Sequence, residues 1–251
     1  MGSKKIHSYK KIVKCRLCDS TLLKKFIDFG NVPLGNNLFN KKKQSLTAEE
    51  YPLGVQQCET CSHFQLTVSV SPNLLYATNY TYLSNIGRSF VSHIKKYTNW
   101  IERQTGLMEG AFVVDIGSND GTCLQEFKKK GYTVCGVDPA ELPAKIANDN
   151  DIFTINDFFN IDVVKKIIKR FGKADVVTSQ NVLAHIDELK LTFKNIFYLL
   201  KDDGYLCFEI GYFKSVLESG FFDTIYHEHL DYHHAFPLIK YLNSIGFKIV
   251  K

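Results

Sequence analysis

A chain of 251 residues, 45% hydrophobic and 23% charged, can bury one large core, or a medium core with a small module attached. Its formal charge of +5 comes from short, scattered lysine runs such as Lys41 to Lys43 and Lys128 to Lys130. These read as solvated faces, and no basic stripe with interleaved aromatics points to nucleic acid. Nothing approaches the roughly eighteen apolar residues of a membrane span, and no apolar signal core opens the chain, so a cytoplasmic protein is expected.

Residues 1–11 are polar and lysine-rich and are expected to be disordered. Residues 12–75 are rich in Cys, Asn and Gly, with short alternating runs such as Phe64 to Val68, which suits hairpins around a metal. Residues 76–106 form a helical connector, because Phe90, Val91, Ile94, Tyr97, Trp100 and Ile101 recur at helical spacing between Gly87 and Thr105. From 107 to 251 apolar runs alternate with helical segments, the order of a parallel sheet with crossover helices. The predicted strands are 112–116, 133–137, 152–155, 175–178, 205–210 and 247–250. Helices are predicted over 122–130, closed by Gly131, over 188–201 before Asp-Asp-Gly, and over 236–245.

Seven cysteines form two close pairs and three singles, which argues against a disulfide framework and for metal binding in a reducing compartment. Cys15-Arg-Leu-Cys18 and Cys58-Glu-Thr-Cys61 are matching CxxC knuckles separated by 39 residues. Together they offer four thiolates to a tetrahedral zinc ion and leave no position for water, so the site is structural. His63 is a weaker stand-in ligand. Cys123, Cys135 and Cys207 fall inside helix and strand patterns as small core residues.

Val113 to Gly121 runs from an apolar strand into a glycine-containing turn and then a helix, a place where backbone approaches a ligand closely. Asp138, seventeen residues beyond Gly121 and at the end of the next strand, can accept hydrogen bonds from both hydroxyls of a ribose. The turn lacks the Gly-x-Gly-x-x-Gly spacing of dinucleotide folds. It resembles instead the Asp-x-Gly-x-Gly-x-Gly loop of class I methyltransferases, with Asn119 in place of the middle glycine. That resemblance implies an S-adenosylmethionine site, with S-adenosylhomocysteine as product. Asp115, Gly117, Ser118, Asn119, Gly121, Asp138 and Pro139 would line it, together with Asn156, Asp157 and Phe158 after the third strand and Gln180 and Asn181 after the fourth.

Tyr226-His227-Glu228-His229 is the densest run of titratable side chains and follows the fifth strand, on the edge where open parallel sheets bind ligands. His185, Tyr80 and Tyr82 can join it from other loops. Methylating carbon requires removal of a proton, which suits a histidine oriented by a carboxylate such as Glu228, with tyrosine hydroxyls at a developing enolate oxygen. The run is not the HExxH of metalloproteases, since Asp231 stands where the second histidine would be. His233 and His234 are expected to be structural.

The CxxC pair, Phe29 to Leu34, the Gly-Ser-Asn-Asp-Gly loop, Asn181 to His185 and Tyr226 to His229 together resemble the deoxysugar C-methyltransferase family over nearly the whole chain from Ile12. The resemblance implies a Rossmann-like class I methyltransferase fold, α/β with a parallel-sheet sandwich, behind a small zinc-binding domain. The family continues beyond this chain, so its C-terminal domain is expected to be missing. The implied substrate is a nucleotide-linked keto-deoxysugar, with His229 as base and Tyr226, Glu228, His185 and Tyr80 as its companions. Neither nucleic acid nor membrane is an expected partner. Two alternatives remain: a methyltransferase acting on oxygen or nitrogen of another small molecule, and a zinc-ribbon binding module that has lost catalysis.

Overall fold

The computed structural model describes residues 9–77 and 83–251. In chain order its strands and helices are β1 (Tyr9–Lys11), β2 (Leu23–Pro33), α1 (Lys42–Ser45), β3 (Glu50–Cys58), β4 (Phe64–Leu66), β5 (Val68–Val70), α2 (Arg88–Thr105), β6 (Phe112–Ile116), α3 (Thr122–Lys128), β7 (Thr133–Val137), α4 (Glu141–Asp149), β8 (Thr154–Ile155), α5 (Ile161–Phe171), β9 (Ala174–Gln180), α6 (Leu189–Leu199), β10 (Leu200–Glu209), α7 (Phe213–Ser219), β11 (Asp231–Tyr232) and α8 (Ala235–Ser244). Among the described residues no helix is long and apolar enough to cross a membrane. The chain forms two compact units. The first gathers the residues up to 77 with 183–190 and 210–251, and the second holds 83–182 with 191–209.

The first unit carries an antiparallel sheet of order β11-β4-β3-β2 and a separate β1-β5 pair. Alternation along β3 turns Leu53 and Val55 inward, where they meet Leu66, Phe213, Ile225, Leu230 and Tyr232. The chain returns to this unit late because β11 pairs with β4, Asp231 opposite Gln65 and Tyr232 opposite Phe64. That pairing brings the 226–229 run into the cysteine-rich module, and no local sequence pattern announces it.

The second unit is built on a parallel sheet of order β10-β9-β6-β7-β8. Strand β6 is buried at every position, as befits a central parallel strand covered on both faces. Ile94, Tyr97 and Ile101 of α2 pack with Leu124 and Phe127 of α3 over this sheet, so the predicted amphipathic helix contributes its apolar stripe to the core. The strand order runs to β7 on one side of β6 and to β9 on the other. This reversal creates the crevice where open α/β sheets bind ligands, beyond the carboxyl ends of their strands.

The elements depart from the sequence expectations at four places. Tyr9 to Lys11 pair with Val68 to Val70 as a strand instead of being disordered. Ile152 and Phe153 precede β8, which begins at Thr154 after a turn with Asp151 at φ +59°. Asp202-Asp203-Gly204 is not a helix-ending turn: β10 begins directly after α6, with a register shift between Leu200 and Tyr205. Gly204 serves there by its lack of a side chain, since a Cβ would sit 3.0 Å from the Ala174 carbonyl oxygen and from Leu200 Cδ2. Residues 247–250 form no strand, leaving their apolar run without a sheet neighbour.

Candidate functional site

In the first unit, the Sγ atoms of Cys15, Cys18, Cys58 and Cys61 lie within 4.8 Å of one another. Cys15 approaches Cys61 at 3.5 Å and Cys18 approaches Cys58 at 3.6 Å. A tetrahedral ion with Zn–S bonds of about 2.3 Å needs sulfurs about 3.8 Å apart, so this cluster fits zinc closely. The knuckles share one backbone design. The residue after each second cysteine is left-handed (Asp19 at φ +62°, Ser62 at φ +65°), and its amide donates to the carbonyl of the first cysteine at 3.0 and 2.8 Å. Burial raises the Cys15 thiol and takes Cys61 to about 11, while at Cys58 the amides of Cys61 and Thr60 and the bond with Cys18 overcome burial and bring the thiol to about 7. His63 is not a stand-in ligand: its Nε2 lies 2.8 Å from Asp231 Oδ1.

In the second unit, the predicted cofactor residues gather at the carboxyl ends of β6 to β9. Gly117 has φ +68°, and an added Cβ would lie 2.4 Å from Val182 Cγ2, so glycine is required there by conformation and by space. Asn119, which stands where the resemblance calls for glycine, has φ +50°. Asparagine is among the few side chains that tolerate this region, and its Oδ1 accepts from the amides of Ser84 at 3.0 Å and Asp120 at 2.9 Å. Asp120 Oδ2 accepts from the Asn85 amide, so the loop also holds the segment that leads into α2.

Asp138 is buried at the tip of β7. Its two oxygens accept from the amides of Asn119 and Ala140, each at 2.8 Å, while burial raises its pKa. Asp115 lies sealed beneath the loop, accepting from Thr178 Oγ1 at 2.7 Å; burial pushes it up to about 7. Half-buried Pro139 links Asp138 to Ala140. Asn156 Nδ2 donates to the Asp138 carbonyl, and Asp157 accepts from the Phe158 amide. Asn181 is left-handed at φ +56°, and its amide donates to Glu209 O. Ser118 Oγ is buried without a hydrogen-bond partner, whereas the Gln180 side chain, at the end of β9, bonds Asp115 and Tyr97. Orphan polar atoms at a strand-end crevice are costly unless a polar ligand satisfies them, and the amino-acid and ribose groups of S-adenosylmethionine fit that demand.

The described residues that the sequence pointed to for acid–base chemistry cluster in the first unit. The His229 ring lies 4.7 Å from that of His185 and 4.3 Å from that of Tyr226, between centroids. His229 Nδ1 is 2.7 Å from the Thr224 carbonyl oxygen; only a protonated nitrogen can make that contact, so Nε2 carries the lone pair. The Tyr226 hydroxyl, 3.2 Å away, donates to it. Burial lowers the His229 pKa, opposed by the Thr224 carbonyl, which favours the neutral imidazole. His185 has the same tautomer, its Nδ1 donating to the Glu228 carbonyl at 2.9 Å.

Glu228 does not orient His229. Its carboxylate accepts from Asn36 Nδ2 at 2.6 Å, and burial raises its pKa. Tyr226 is pushed up to about 12 by burial and by Glu228. His227 is a structural anchor, with Nε2 3.3 Å from the carbonyl oxygens of Tyr51 and Pro52. His233 packs against His63, and His234 reaches Ser62 O. Tyr80 and Tyr82 lie outside the described residues. Two members of the cluster were not foreseen. Asn36 follows the Phe29 to Leu34 stretch, and Tyr76, whose hydroxyl is 3.1 Å from His185 Nδ1 and 3.0 Å from the Glu228 carbonyl, opens the tyrosine-rich segment that contains Tyr80.

Comparison with known proteins matches residues 90–251 to a family described as "Methyltransferase domain" and residues 15–76 to one described as "Putative zinc binding domain". The C-methyltransferase NovU of Streptomyces niveus is 32% identical over 95% of this chain. The chain spans 57% of that relative's length. Two solved structures share the fold. One is a chain of the Haloferax volcanii complex of the Trm112 methyltransferase activator, with TM-score 0.52, 15% identity and coverage of 65% of this chain and 73% of that one. The other is a SAM-dependent methyltransferase from Archaeoglobus fulgidus, with TM-score 0.51, 21% identity and coverage of 64% and 71%.

Proposed function

We propose that this chain, which belongs to the methyltransferase domain family, transfers a methyl group from S-adenosylmethionine to a carbon atom beside the ketone of a nucleotide-linked deoxysugar. The observation that carries the reading is the state of His229: a half-buried imidazole with its Nδ1 proton committed to Thr224 O and its Nε2 lone pair turned to the Tyr226 hydroxyl. An oxygen or nitrogen acceptor with its own lone pair has less need of such a base than a C–H bond does.

In this reading the second unit binds the cofactor. Asp138 takes the ribose hydroxyls, Asn156, Asp157 and Phe158 border the adenine, and the Gly117 to Gly121 turn lets the backbone come close. The bound cofactor supplies an electrophilic sulfonium methyl group. His229 Nε2 removes the proton from the carbon next to the ketone. Once Nε2 has taken that proton, the Tyr226 hydroxyl that rested on it, held protonated by its high pKa, is released to donate to the enolate oxygen. His185 and Tyr76 fix the Glu228 backbone, and Asn36 fixes its side chain. The zinc-bound quartet holds the cysteine module in shape and takes no part in the chemistry.

The NovU likeness supports carbon as the acceptor, and the sugar class rests on the resemblance of the motifs. Incubation of candidate nucleotide-linked keto-deoxysugars in D2O tests the reading. Deuterium should enter the carbon next to the ketone in the presence of wild-type chain and S-adenosylhomocysteine, and His229→Ala should slow this by about 10²–10⁴. Methylation of an oxygen or nitrogen, with no such exchange, would overturn it.

A further inference from the structure

Arg16 stands inside the first zinc knuckle, between Cys15 and Cys18, yet its side chain is turned away to bonds that metal binding does not require. Nε donates to both oxygens of Asp231, at 2.9 and 3.0 Å, and one terminal nitrogen donates to the Ile186 carbonyl. Asp231 lies two residues after His229, and Ile186 is the residue after His185. One guanidinium therefore ties together the two segments that carry the acid–base imidazoles and fastens both to the knuckle. The Arg16 amide donates to Gln65 Oε1 at 2.8 Å, and Gln65 Nε2 donates to Lys14 O at 3.0 Å. Asp231 also bonds His63, two residues beyond Cys61, so the second knuckle grips the same carboxylate.

These groups are out of water. The Arg16 side chain is 9% exposed and that of Asp231 is fully buried. A buried, hydrogen-bonded ion pair adds little net stability over an apolar replacement, but it has one permitted geometry, and breaking it leaves an uncompensated charge. Such a pair suits the fixing of position. A guanidinium also has separate donors for a carboxylate and a carbonyl, which an ammonium point charge lacks.

We propose that Arg16 is a positioning residue: through Asp231 and Ile186 it transmits the geometry of the zinc knuckles to His229 and His185. The zinc site then sets the alignment of the acid–base pair as well as the shape of its own module. The proposal rests on the reading above only in naming these imidazoles the acid–base pair.

The test uses histidine-selective NMR of the zinc-loaded chain. His185→Gln and His229→Gln assign the two ring signals, and His93, which pairs with Glu209 in the second unit, is the control. Arg16→Gln and Asp231→Asn should keep one zinc per chain while both ring signals shift or broaden and His93 stays in place. Arg16→Lys should restore the wild-type positions only in part. Chelation of zinc from the wild type should move the same two signals. With an acceptor in hand, both variants should lower kcat about ten- to a hundredfold, the usual effect of losing a supporting hydrogen bond, with KM for the cofactor unchanged. Should Arg16→Gln lose its metal, Asp231→Asn, which lies outside the knuckles, decides. Zinc-loaded Asp231→Asn with both ring signals in their wild-type positions would overturn the proposal. A wild type that methylates nothing, while its ring signals respond as described, would remove the proposed function and leave this coupling standing.

Discussion

The turn after β6 places a quantitative demand on residue 117. In Gly117→Ala the new residue must adopt φ near +68°, at a cost of about 1–2 kcal/mol for an L side chain. Its Cβ would also start 2.4 and 2.9 Å from the two Cγ atoms of Val182, an overpacking of about 1–3 kcal/mol. The sum is about 2–5 kcal/mol against a typical total of about 5–15 kcal/mol. That corresponds to a fall in melting temperature of about 4–20 °C. Val182→Ala removes both Cγ atoms, so the double variant should keep the backbone cost and lose the clash. Denaturant unfolding of the four proteins should therefore yield a favourable coupling of about 1–3 kcal/mol between the sites. Cofactor affinity, followed by calorimetry, should fall in Gly117→Ala and recover only in part in the double variant. Wild-type stability in Gly117→Ala, or strict additivity of the two changes, would refute the account of this turn.

Asp138→Ala removes the proposed acceptor for the cofactor ribose and releases the Asn119 and Ala140 amides. A charged hydrogen bond contributes about 1.5–3 kcal/mol, so calorimetry should show at least a ten- to hundredfold weaker Kd. In the proposed reaction His229 acts as the unprotonated base, and burial lowers its pKa below the ordinary value of 6.5. The acidic limb of a kcat/KM profile should then fall below pH 6.5, with no alkaline loss through Tyr226 until pH nears 12. His229→Ala should lower the exchange rate by about 10²–10⁴. Removal of zinc should expose four titratable thiols and abolish cooperative melting of the first unit, since structural zinc contributes about 10–16 kcal/mol of binding free energy to folding.

The second unit was largely legible in the sequence because its signals are local. Apolar runs marked β6 and β7 with their observed bounds, the spacing of Ile94, Tyr97 and Ile101 marked α2, and Gly117 and Asp138 mark where a strand meets a ligand edge. The two CxxC knuckles were equally plain. What escaped the sequence depends on distant pairing. Asp231 lies 166 residues from Gln65, its partner across the β11–β4 pair, and nothing in Asp231-Tyr232 announces a strand two residues long. The same pairing decides the fate of several polar groups. Asp231 draws His63 away from the metal, and Glu228 finds Asn36 rather than its neighbour His229. Asn36 is invisible as a site residue because its role is fixed by a contact 192 positions away. At Asp202-Asp203-Gly204 the local turn chemistry pointed the wrong way, since close approach to the Ala174 carbonyl, and not a left-handed turn, explains the glycine.

Isothermal titration of the zinc-loaded chain with S-adenosylmethionine and S-adenosylhomocysteine tests the central claim most directly. The account predicts about one competing site per chain with Kd in the micromolar to submillimolar range usual for enzyme substrates, and the weakening of both ligands in Asp138→Ala by at least about ten- to hundredfold. A folded chain carrying zinc that binds neither ligand would contradict it.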